Sequence, residues 1–135
     1  MSWAQSLIKL ATYEVETRQK QLTQIVGLRT DAETRLRVLH AEDEAEAKRA
    51  SQDAEAGWYH IGFQDGLRLR KAAVEAEIRR LLIEEQGARD ALAQTFEEQK
   101  KYEHVAETAR VALVKETARR ETAALDELGL RKIAR

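Results

Sequence analysis

The stretch IKLATYEVETRQKQLTQIVGLRTDAETRLRVL, residues 8–39, decides the fold. Within it Ile8, Ala11, Val15, Arg18, Leu22, Ile25, Arg29, Ala32, Leu36 and Leu39 follow one another in steps of three and four, and all but the two arginines are apolar. A mean spacing of 3.5 residues puts these side chains on one narrow stripe of an α-helix, and the stripe stays covered only if a second helix supercoils against it. The same chain carries the second stripe: Leu67, Lys71, Val74, Ile78, Leu81, Glu85, Ala88, Leu92, Thr95, Gln99, Tyr102, Ala106, Ala109 and Leu113 repeat the alternation. The expected fold class is all-α, with two long helices in an antiparallel coiled-coil hairpin forming a single domain over residues 1–135.

Ser2 and Gln5 have the spacing of a capping box, so the first helix is expected over about residues 3–51. After Leu39 its seam thins to Ala41, Ala45, Ala47 and Ala50, set among Glu42, Asp43, Glu44, Glu46, Lys48 and Arg49. The turn is placed at about residues 52–58, with Gly57 supplying the left-handed conformation that ends a helix. The second helix follows over about residues 59–128, with a frayed C-terminal end. It is the longer of the two, so from about Lys115 it either overhangs or pairs with the start of the first.

Composition narrows the function. The 135 residues include no proline and only six glycines, with 35% charged and 5% aromatic side chains. That mix suits a coiled-coil seam and starves a globular core. A net charge of -1, with both signs interleaved, leaves no field to hold a polyanion, so nucleic acid is not an expected partner. No cysteine is present for a disulfide or thiolate site, and no apolar run reaches the roughly 18 residues of a membrane span. The start of the chain lacks a basic cluster followed by an apolar stretch and reads as mature, cytoplasmic protein.

Catalysis is not expected. Ser2, Ser6 and Ser51 have no base-and-orienter arrangement, and His40, His60 and His104 lack ligand partners at helical spacing, so they read as exposed helix positions. Gly57, Gly62 and Gly66 match no phosphate loop. Neither a metal nor a cofactor is implied. Glu75 with Arg79, Glu97 with Lys101 and Glu116 with Arg120 are spaced for ion pairs worth about 0.3 to 0.5 kcal/mol apiece.

Two surface features remain. The acidic group Glu42 to Glu46 and the basic group Arg68, Arg70, Lys71, Arg79 and Arg80 flank the turn and read either as partner-docking patches or, more commonly for such groups, as solvated helix faces that face one another. Trp58, Tyr59 and Phe63 cluster just beyond it, either as a hydrophobic plug closing the hairpin or as a protein-binding tip. Trp3 and Leu7 pose the same alternative at the other end.

Three segments resemble the flagellar type III export coiled-coil protein family FliJ. Ser6-Leu7-Ile8-Lys9-Leu10-Ala11-Thr12-Tyr13-Glu14-Val15-Glu16 is similar to the family's opening. Gln99-Lys100-Lys101-Tyr102-Glu103-His104-Val105-Ala106-Glu107 is similar to its lysine-aromatic-glutamate segment, and Arg120-Glu121-Thr122-Ala123-Ala124-Leu125-Asp126-Glu127-Leu128 to its closing run. The resemblance implies a fold like the central stalk of rotary ATPases, non-enzymatic, with the chain ends reaching into a hexameric flagellar export ATPase. It implies further partners in the cytoplasmic domain of the export gate and in export chaperones, at the cytoplasmic side of the membrane. Phe63 and Leu67 match the family's aromatic-leucine pair for the gate contact, with Trp58 and Tyr59 beside them. The family's tyrosines on the facing first helix have no counterpart between Leu39 and Ala50. An intramolecular hairpin also implies a monomer when isolated, and the competing reading is a coiled-coil scaffold that forms a homodimer.

Overall fold

The computed structural model describes residues 3–134, without the side chains of residues 54, 56 and 57. Ser2, half of the expected capping box, lies outside them. Two helices account for the described chain, α1 (Trp3–Gln52) and α2 (Ala54–Ala134), and Asp53 is the one described residue that is not helical. No strand occurs among the described residues. Contacts divide the chain into a unit of Thr17–Ala93 and a unit of Met1–Glu16 with Gln94–Arg135.

In the Thr17–Ala93 unit the helices run antiparallel, because each step back along α1 is met by a step forward along α2. Lys71 Nζ donates to Asp43 Oδ2 at 2.8 Å, Arg35 Nη2 to Glu77 Oε1 at 2.9 Å and Arg29 Nε to Glu85 Oε1 at 3.0 Å. These pairs are separated by 28, 42 and 56 residues, so successive bridges stand about a heptad apart on each helix. Ala32, Val74 and Leu81 form the buried core, with Leu36, Leu39 and Ile78 packed against it. Ala32 is fully covered, and its small side chain leaves room for the larger Leu81 and Val74. Burying a leucine such as Leu81 contributes about 2 kcal/mol.

Within this unit the seam departs from the sequence reading in two places. Arg18 is exposed and donates to Gln21 Oε1 at 3.2 Å, since a long cationic side chain can leave the seam for water. Beyond Leu39 the three-four stride continues through Asp43, Glu46 and Ala50, whereas Ala41, Ala45 and Ala47 face solvent. The seam there is polar, and the Asp43–Lys71 bridge joins the expected acidic and basic groups. Of the three expected ion pairs along the helices, Glu116 with Arg120 forms at 3.1 Å. The other two do not occur among the described residues.

The connection also differs. Gly57 lies inside α2 and ends nothing. The break comes at Asp53, whose Oδ1 accepts the Glu55 backbone N–H at 3.0 Å and so caps the first turn of α2. Ala54-Glu55-Ala56 are strong helix formers, and they carry the helix across the glycine. At the other end α2 runs past residue 128 to Ala134, because Leu130, Arg131 and Ala134 favour helix and the Arg131–Glu127 bridge at 3.1 Å spans Gly129.

In the unit of Met1–Glu16 with Gln94–Arg135, Ala4, Ala11, Val15 and Thr95 are buried, and Gln99 Nε2 donates to Thr12 Oγ1 at 3.1 Å. Ala109 and Leu113 hold seam positions but are exposed, because α1 begins only at Trp3. Residues 117–134 are exposed throughout.

The interhelical bridges make the pairing acid-sensitive. Lys71, hydrogen-bonded to Asp43, holds that carboxyl below the ordinary carboxylate range, with His60 and His40 adding to the effect. Arg35 does the same for Glu77. A carboxylate whose folded value is depressed gives its full contribution above its unfolded value and loses it as pH falls through the folded one. Helicity followed by circular dichroism is therefore expected to melt at lower temperature once the pH drops below about 4, and to hold steady from there to neutrality. An Asp43→Asn, Glu77→Gln variant should lose part of that acid dependence, the remainder belonging to groups such as Glu107 and Glu116, which Arg110 and Arg119 hold low in the same way.

Candidate functional site

The stretch that crosses from one helix to the other is built from few residues. Ser51 Oγ donates to the Lys48 carbonyl at 2.7 Å, Asp53 caps α2, and the first turns of α2 then present Trp58, Tyr59, His60, Ile61 and Phe63. Their placement follows from the helical stride. Positions 60, 63 and 67 fall on the inward face and are at least half-buried, which leaves 58, 59 and 61 outside.

Trp58 is 74% exposed, Tyr59 67% and Ile61 64%. The two rings meet edge to face, with centroids 5.5 Å apart and planes at 82°. That geometry sets the electropositive edge of one ring against the face of the other while both remain in water. Phe63 is half-buried. Leu67 is only 1% exposed and belongs to the seam, so it offers no surface to a partner and supports the turn that carries Phe63. The structure thus brings Trp58 and Tyr59 together at the surface, places Phe63 at its margin and sets Leu67 beneath.

Polar groups lie close by. Asp43, Gln64, Leu67, Arg68 and Lys71 line one shallow depression, and the Asp43–Lys71 bridge lies within it. His40 is exposed, as expected, but His60 is half-buried with its Nδ1 covered and without a partner among the described residues. No three His, Asp or Glu side chains converge to hold a metal ion among the described residues. Large apolar side chains are thus exposed on a helix, with charged groups close by.

A second apolar surface lies within the unit of Met1–Glu16 with Gln94–Arg135. Trp3, Ala4 and Ile8 of α1, with Ala106, Ala109 and Leu113 of α2, line an open groove of ≈ 740 Å³, rimmed by Glu103, Glu107 and Arg110. Trp3 is exposed there and Leu7 half-buried. Past the groove α2 continues with Val114, Leu125, Leu128 and Ile133 exposed. Sequence reasoning singled out Trp3 but missed the groove, whose signal was the offset between the two stripes: α1 starts at Trp3 while α2 runs on past Leu113. Among the described residues no helix is long and apolar enough to cross a membrane.

No protein-family model and no solved structure matches the chain. Two curated proteins do, each described as a flagellar FliJ protein, from two strains of Caulobacter vibrioides. Each is 48% identical over 132 residues, covering 98% of this chain and 95% of the relative. Identity at that level over nearly the whole length, on a pair of antiparallel helices with the expected seam, means that the chain belongs to the flagellar FliJ family.

Proposed function

We propose that this chain is a non-enzymatic stalk and regulator of the flagellar type III protein-export ATPase, acting at the cytoplasmic side of the membrane. It links the ATPase ring to the cytoplasmic domain of the export gate and handles emptied export chaperones. The observation that carries the reading is the near-full-length similarity to flagellar FliJ proteins, on a helix pair with exposed apolar residues in each of its two units. The groove between Trp3 and Leu113 and the helix beyond it serve the ATPase end, and the Trp58–Tyr59 tip, with Phe63 at its margin and Leu67 beneath, serves the gate. A single asymmetric shaft contacts each subunit of a six-fold ring differently, and so biases their conformations without supplying a catalytic group.

Addition of the purified protein to the export ATPase is expected to raise ATP turnover under conditions where the ring assembles. Turnover that stays at its basal level with assembled rings present would remove the proposal. The competing reading, a homodimeric scaffold, draws on one observation: Leu125, Leu128 and Ile133 are exposed on a stretch of α2 that no residue of α1 covers. Sedimentation equilibrium separates the two, since the stalk sediments as a monomer and the scaffold as a dimer.

A further inference from the structure

Gly27 and Gly87 lie inside the two longest helical runs of the Thr17–Ala93 unit, each at an exposed position. A β-carbon built on either would meet nothing within 4 Å, so no packing inside the chain requires a glycine there. The pairing register relates them. Arg29 bridges Glu85 across the hairpin, and Gly27 stands two residues before Arg29 on α1 while Gly87 stands two residues after Glu85 on α2. In an antiparallel pair those offsets coincide, so both glycines fall at one level.

The core at that level is also unusual. Where the neighbouring turns bury Ala32, Leu81 and Val74, this one holds the Arg29–Glu85 bridge, extended by Glu33 at 2.8 Å from Arg29 and by Arg89 at 3.9 Å from Glu85. A satisfied ion pair specifies register but adds less cohesion than packed apolar side chains, because its attraction is largely offset by desolvation. Glycine also regains more backbone freedom than any other residue when it leaves a helix. Weak helix on both sides and a polar core between them occur together, at one cross-section.

We infer that the paired helices yield preferentially at the level of Gly27, Gly87 and the Arg29–Glu85 bridge, a built-in bending point that lets the tip half of the unit change direction while the helices stay paired. The inference is independent of which partners the ends engage. A shaft that transmits force between two partners is less prone to unzip if it bends at a polar layer flanked by apolar ones, since those apolar layers then remain closed.

Amide hydrogen exchange on the full chain tests it, read residue by residue. Amides of residues 24–31 and 84–91 are expected to exchange faster than those one heptad to either side on the same helices. In a Gly27→Ala, Gly87→Ala variant, which keeps the helix and should fold, exchange at this level should slow about fivefold per glycine relative to the flanking turns. A Gly62→Ala control should leave that ratio unchanged. Equal protection along both helices in the parent chain, or slowing that is uniform along the hairpin in the double variant, would overturn the bending point.

Discussion

Leu81→Ala is expected to lower the stability of the helix pair by about 3 kcal/mol, read as the midpoint of urea unfolding followed by circular dichroism. Leu81 is only 1% exposed and lies in the cluster with Ala32 and Val74. Truncation removes the transfer free energy of the buried side chain and leaves a void that the neighbouring Ala32 is too small to fill. Leu82, next along the helix, is nearly half exposed, and its truncation is expected to change stability by no more than about 0.5 kcal/mol. The contrast between adjacent leucines is informative because helix propensity changes equally in both. Similar losses at the two positions would mean that the seam lies elsewhere.

The second large effect concerns binding. Trp58→Ala is expected to weaken association with the gate's cytoplasmic domain by about 2 kcal/mol or more, roughly 30-fold in Kd, as measured by calorimetry. Its melting curve should remain that of the parent, since Trp58 is 74% exposed and its contact with Tyr59 is a surface one. Phe63→Ala should weaken the gate contact too, with some loss of stability because the ring is half-buried. Leu67→Ala should act in the opposite proportion, destabilising first and reaching the partner only through the fold. Unchanged affinity in both aromatic variants would take the gate away from this tip.

The seam was legible because a three-four stride leaves little freedom. From Leu67 to Ala106 every position of the second stripe is buried or half-buried. Legibility failed where chemistry competes with spacing. Past Leu39 the alanines looked like the apolar choice, but the stride selects Asp43 and Glu46, which can occupy the seam because Lys71 answers Asp43 across it and Arg49 pairs with Glu46 at 3.0 Å along the helix. At the turn Gly57 suggested a stop, whereas the decisive signal was Asp53, a preferred cap standing before a run of helix formers. Leu67 belonged both to the stripe and to the family's contact pair, and packing places it in the stripe. Exposure at Trp58 could not be read from its neighbours in sequence, since it depends on where the inward face of α2 begins.

The whole account depends on two stripes of one chain closing on each other in the register that joins Arg35 to Glu77. A chain without native cysteine allows a direct measurement: an Arg35→Cys, Glu77→Cys variant, oxidised in dilute solution and mapped by proteolysis. The account predicts a disulfide between positions 35 and 77 of the same chain, on a species of monomer mass. Disulfides joining position 35 to position 35 of a second chain, on a species of dimer mass, would contradict the hairpin and the shaft built upon it.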